Sequence, residues 1–240
     1  MATTPSARRR PTPRMSVNDL ARYMVSSDTA RIGIVSRAKT PSPPPIIRYK
    51  DARGPICEFL ADAGRRVNPL VEAERMFQQR AEDPSLSALK QDDAIQSIEV
   101  LHAIQRMANR LANFDFERAP HSQSKLHING VEISVRADLL VMGRGRNEGK
   151  IGAAVLRMTQ DDGQNEGAIS RRRDMGLYVA TLARMHLEQN INTNLEISNQ
   201  LCMSIDVQHG EAFIAPNANA RRISNLESAC RMIAAIWDSV

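Results

Sequence analysis

Aromatic side chains are scarce: one Trp, three Tyr and five Phe make up 4% of 240 residues. So small a set argues against base-stacking platforms and aromatic cages. Cysteine is scarcer still. Cys57, Cys202 and Cys230 are odd in number, far apart and without a CxxC pair. That spacing argues against a disulfide framework and a zinc knuckle, and it points to a reducing, cytoplasmic compartment. The five histidines form no HExxH. No run of about 18 apolar residues occurs, so neither a transmembrane helix nor a membrane partner is expected. No apolar leader stands at the start, so secretion is not expected. GxxxxGK[ST], GxSxG and a GxGxxG after a strand are all missing. Gly143-x-Gly145 does follow a strand pattern. A second strand follows it, so no helix N-terminus is formed there to cradle a phosphate.

What remains is an ordinary globular balance, 42% hydrophobic and 25% charged. The chain is long enough for one large domain or two small ones, with a real core. The net charge of +5 is unevenly placed. Residues 1–14 carry Arg8, Arg9, Arg10 and Arg14 and no acid, and the other 28 basic side chains meet 27 acids. A globally basic surface therefore does not follow. Residues 1–14 read as a disordered Pro/Arg-rich tail with weak affinity for polyanions. Its composition resembles a transit peptide, but it has no amphipathic helix.

Residues 15–240 read as a single α/β domain, with a helical part over 15–120 and a small mixed sheet flanked by helices over 121–240. Ser16, with Asp19 three residues on, opens a helix. Thr40 to Pro45 is a stiff proline loop. Short helices are expected over 50–62 and 69–81, and a long one over 92–113, where Ile95, Ile98, Leu101, Ile104, Ala108 and Leu111 recur at steps of three and four. Near residue 126 the period changes to two. One strand is expected at 126–128 and another over 131–141, then a glycine turn at 143–149 and a nearly all-apolar, central strand at 151–158. A polar loop over 159–170, a helix over 171–188, a hairpin of 201–207 with 211–214 and a helix over 225–237 complete the chain.

The run Gly130-Val131-x-Ile133-x-x-Arg136-x-Asp138, followed by an apolar stretch, a glycine turn and a buried strand, resembles the core of PD-(D/E)XK nucleases, the RecB-like branch in particular. The likeness spans residues 95–215. It implies a restriction-endonuclease-like core. A first strand would end in a metal-binding Asp, a second would carry Glu-x-Lys, and the next helix would carry Gln-x-x-x-Tyr. Such enzymes need Mg²⁺ to polarise the phosphate and activate a water, and hard carboxylate oxygens to hold it.

In this chain the pattern is eroded. Glu148-Gly149-Lys150 matches Glu-x-Lys literally. With the turn near Arg146, however, it falls six or seven residues from the position facing Asp138, roughly 20 Å at 3.3 Å per residue. Asp138 should face Ala154 or Val155. The resemblance then places Val155 where the family has Glu and Arg157 where it has Lys. Asp174 stands in place of Gln, four residues before Tyr178. Valine offers a cation no lone pair. The expectation is a PD-(D/E)XK-like protein without hydrolysis and without a cofactor, binding nucleic acid or serving as an accessory to a protein partner. The rival is a Mg²⁺-dependent nuclease with an altered catalytic set of Asp138, Arg157, Asp174 and Tyr178, in which Asp138 and Asp174 hold the metal. The third reading is a protein-interaction module without nucleic-acid contact.

Arg144 and Arg146 at the hairpin tip, and Arg171, Arg172 and Arg173 at a helix start, are candidate phosphate contacts. The alternative for the triplet is an exposed flank paired with Asp161, Asp162 or Glu166. His102, on the helix preceding the sheet, matches a place where RecB-like enzymes often carry a His, but reads first as a packed or surface residue. Glu99 reads as a solvated acid, Tyr178 as packing under the hairpin, and His209, beside Asp206, as a turn residue.

Overall fold

The computed structural model describes residues 9–41, 46–158 and 163–240. The chain is mixed α/β, with helices flanking two sheets. In order come β1 (Arg14–Ser16), α1 (Val17–Met24), α2 (Asp28–Lys39), α3 (Arg53–Ala61), α4 (Asn68–Glu82), α5 (Ala88–Met107), β2 (Asp115–Arg118), β3 (Leu126–Ile128), β4 (Val131–Ser134), β5 (Leu139–Met142), β6 (Lys150–Arg157), α6 (Glu166–Asn190), β7 (Glu196–Ile197), β8 (Met203–Asp206), β9 (Glu211–Ile214) and α7 (Ala220–Ile236).

The larger sheet runs β2-β5-β6-β8-β9, with β7 also on β6. β2, β5 and β6 are antiparallel neighbours. β8 lies parallel to β6, joined through α6, and β9 returns antiparallel to it. The small sheet runs β1-β4-β3.

Two hydrophobic cores meet along β6. Ile151, Ala153 and Val155 belong to one with α1, α6 and α7, while Ala154, Leu156 and Met158 belong to the other with α3, α4 and α5. Strand side chains alternate between faces, so β6 is apolar on both sides, as its unbroken apolar run implies. α3 and α6 accordingly cover opposite faces of the large sheet.

The residues expected to form one strand over 131–141 form two. The burial of alternate residues persists throughout, at Val131, Ile133, Val135, Ala137, Leu139 and Val141, but the backbone changes partners. β4 pairs with β1 and β3, and β5 with β2 and β6. Periodicity reports which side chains are buried, not which strand lies alongside.

The tail assignment also changes from Arg9 onward. Arg10 N–H donates to the Lys39 carbonyl at 2.8 Å, and the Trp237 indole N–H donates to the Arg10 carbonyl at 3.3 Å. Arg14 to Ser16 pair in parallel with Glu132 to Ser134. A short parallel strand held at the far end of the chain leaves no local pattern to read. Residues 1–8 and the Ser42–Pro45 part of the proline loop lie outside the described residues. As the sequence suggests, Ser16 caps α1, its hydroxyl oxygen accepting from Asp19 N–H at 3.1 Å.

Candidate functional site

Asp138 sits in the linker between β4 and β5, where the chain passes from one core to the other. Leu139 pairs with Ala154, and Asp138 N–H donates to the Ala154 carbonyl at 2.9 Å. This is the expected register. Glu148 stays at the turn, exposed, its N–H bonded to the Gly145 carbonyl. The Asp138 carboxylate is only 2% exposed. Its Oδ2 accepts from Arg53 Nη1 at 2.5 Å and from Leu156 N–H at 2.7 Å. Arg53 Nη2 in turn donates to the Leu156 carbonyl at 3.3 Å. The carboxylate thus ties the start of α3 to the central strand.

The other three members of the altered catalytic set lie elsewhere. Arg157 is buried on the α6 side of the sheet, 3.6 Å from Asp206 and 3.4 Å from the Met175 sulfur. Asp174, half exposed on α6, lies 3.6 Å from Arg222 of α7. Tyr178 packs in the α6–α7 core, with Arg222 over its ring at 5.2 Å and its hydroxyl accepting from Asn225. Asp138 and Asp174 therefore engage different cations, from helices on opposite sheet faces. Among the described residues no group of three or more His, Cys, Asp or Glu is placed to hold a metal. A hard cation such as Mg²⁺ needs several converging oxygens, and here Asp138 meets a guanidinium and a backbone N–H instead. The residues do not fit a Mg²⁺ site.

The arginine candidates also separate. Arg144 is bonded to Asp115, and Arg146 is exposed at the turn. The helix carrying Arg171 to Arg173 begins at Glu166, where the Asn165 side chain accepts from Ala168 N–H. The triplet therefore lies inside the helix and not at its start. Asn165 is the stop signal of the polar loop and the cap of the helix at once, which the loop-like composition conceals. Arg171 and Arg173 face solvent, while Arg172 is buried and donates to the Gly163 carbonyl at 3.2 Å. Asp161 and Asp162 lie outside the described residues.

His102 pairs with Glu74 of α4 at 3.1 Å, and Glu99 is exposed. His209 closes a turn, its N–H and Nδ1 meeting Asp206 Oδ1 at 3.3 and 2.9 Å.

Sequence reasoning missed a cavity of about 450 Å³ beside Asp138. Its cations are Lys50 and Arg48 from the turn before α3, Arg53 at the start of α3, Arg118 at the end of β2, and Arg136 from the β4–β5 linker. Asp138 is the single acid among its walls. Arg53 is held by Asp138, and Arg48 by Asp92 at 2.7 Å. Lys50, Arg118 and Arg136 are exposed and have no acidic partner among the described residues. These residues come from segments up to 86 positions apart in the numbering, singly and without a run, so no charge cluster announces them. Burial pushes the Cys57 thiol in this wall up to about 12, with the Asp138 charge adding and Arg53 opposing. It stays protonated and inert.

Two anchors fix the cavity's walls. Tyr49 takes a positive φ of 58°, and its N–H donates to Asp93 at 3.0 Å, while its hydroxyl accepts from Gln208 at 3.1 Å. That holds the turn bearing Arg48 and Lys50. Opposite, Gln123 Nε2 donates to the carbonyls of Pro120 and Ala137 at 2.8 Å, and its Oε1 accepts from Ala137 N–H at 3.0 Å. The fully buried His186 of α6 meets that same oxygen at 3.0 Å. One glutamine thereby joins the loop before β3, the linker bearing Arg136, and α6.

No family model, no curated protein and no solved structure matches the chain.

Proposed function

We propose that the protein is PD-(D/E)XK-like, lacks hydrolytic activity, and acts as a nucleic-acid-binding or accessory protein. The observation that carries this reading is the engagement of Asp138. The carboxylate that the resemblance would give to a metal is spent on Arg53 and Leu156 N–H, and the residue next along β6 from its backbone partner is Val155. The order of elements supports the same reading. Antiparallel β5 and β6 are followed by α6 and by β8 parallel to β6. An ion pair in that place keeps the junction of the two cores together without any catalytic duty.

The test is incubation of single- and double-stranded DNA and RNA with the protein in Mg²⁺ or Mn²⁺. The expected result is intact nucleic acid, retained by the protein at low salt and released as salt rises. Metal-dependent cleavage that disappears in Asp138→Ala overturns the non-hydrolytic reading. Absence of retention toward every nucleic acid leaves the protein-interaction module.

A further inference from the structure

The cavity beside Asp138 does not stand alone. Arg118 also lines a neighbouring cavity of about 380 Å³ at the C-terminal end of α3, and Lys50 and Ile47 also line one of about 580 Å³ toward α4 and α5. The middle cavity shares Arg118 with the first and Ile47 and Lys50 with the second, so the three adjoin in series as one depression. Most acids lining its two ends are already engaged. Asp62 bonds Arg66, Asp51 bonds Arg80, and Asp93 accepts from Tyr49 N–H. The middle holds Lys50, Arg118 and Arg136 without acidic partners among the described residues.

Uncompensated cations from three separate segments, flanked by further cavities on either side, attract an extended polyanion more than a compact one. No Phe, Tyr or Trp lines the middle, and the His121 imidazole is its single aromatic ring, so it offers no platform for stacking successive bases. What is offered is charge and N–H donors to phosphate oxygens, which hold a backbone without reading its sequence. The start of α3 adds to the field. Ala52 gives it no side-chain cap, its first turn carries no acid, and its positive end faces the same cavity through Gly54.

Resting on the nucleic-acid reading above, we propose that this depression is the nucleic-acid site, and that Lys50, Arg118 and Arg136 are its phosphate contacts. It binds the sugar–phosphate backbone irrespective of sequence. Arg144, Arg146, Arg171 and Arg173 are not its main contacts.

The test is fluorescence anisotropy of labelled duplex and single-stranded DNA and RNA, titrated with the full chain between about 50 and 200 mM salt. Two variants are compared with the wild type. The first is the triple Lys50→Ala, Arg118→Ala, Arg136→Ala, whose side chains are exposed, so folding is expected to survive. The second is Gly54→Glu. A Cβ there meets nothing within 4 Å, and an acid in a first helical turn favours the helix, so the variant keeps the fold and places an anion in the cavity.

The expected result is affinity lowered at least tenfold in each variant, equally for all sequences. The plot of log affinity against log salt should be about three units shallower for duplex in the triple variant, roughly 0.9 per lost phosphate contact. If the wild type binds while both variants bind equally well with an unchanged slope, the site is wrong and the nucleic-acid reading stands. If the wild type binds no oligonucleotide, the reading itself fails and the site with it. If pyrophosphate displaces the oligonucleotide at equal phosphate concentration, the ligand is a compact anion, and the backbone assignment is overturned.

Discussion

Arg53 and Asp138 form the only ion pair that joins the helical layer to the start of β5 among the described residues, with Arg53 Nη1 2.5 Å from Asp138 Oδ2. The Asp138 side chain is 2% exposed and the Arg53 side chain 32%. The pair is therefore asymmetric, because losing the arginine leaves a buried charge behind, whereas losing the acid leaves an arginine that reaches water. Arg53→Met is expected to cost about 2–3 kcal/mol, less than the ~3–5 kcal/mol of a wholly enclosed pair. Asp138→Asn is expected to cost about 1–2 kcal/mol. Urea denaturation of both variants and of the double variant checks this. The double should cost less than the two singles together, and strict additivity would show that the contact is incidental.

A pH effect follows from His186. Burial pushes its pKa below the ordinary 6.5. The folded state then resists a proton that the unfolded chain accepts, so nothing changes above pH 6.5, and stability falls as pH drops below it. The slope from this one group is at most about 1.4 kcal/mol per pH unit. Urea melts at successive pH values should show a shallower acid loss in His186→Gln. An identical slope in that variant would assign the loss to other groups.

Glycine 152 on β6 faces the backbone of Leu201 so closely that a methyl group would overlap it, and at Gly176 a methyl would overlap the Phe213 ring. A ring can turn aside, whereas a backbone beside the central strand cannot. Gly152→Ala is expected to destabilise by about 3 kcal/mol and Gly176→Ala by roughly 1–2 kcal/mol. Thermal melts of the two variants test the order.

Within the arginine triplet only Arg172 is buried. Arg172→Ala is expected to cost about 1–2 kcal/mol, and Arg171→Ala and Arg173→Ala less than about 0.5 kcal/mol. Equal melting temperatures for all three would refute the inward placement of Arg172.

The sequence made the β5–β6 register legible because a short glycine-rich loop and two apolar strands leave few pairings that bury both faces. The central position of β6 was legible for the same reason, and the Ser16 cap because its signal is local. Three things were not. The division of 131–141 between two sheets depends on β1, which arrives from the N-terminal end of the chain. The helix start at Glu166 hid behind Asn165, whose residue type serves loops and caps alike. The cation cavity hid because Lys50, Arg118 and Arg136 come from three separate segments of mixed charge, each looking like ordinary surface.

The clasp of Arg10 by Lys39 and Trp237 sets an order of assembly. Arg10 and Trp237 are 227 positions apart, and the core holding Met15, Leu20 and Ile133 also needs Leu226, Ile233 and Trp237. Among the described residues, the other core draws on nothing before Tyr49 or after Ala212. During synthesis from the N-terminus, the α3–α5 half can consolidate while its neighbour still lacks a wall. The segment that emerges early must then wait, with its apolar residues uncovered, until α7 has left the ribosome. In that interval the apolar residues of β1 and α1 lack their cover, the condition that favours aggregation.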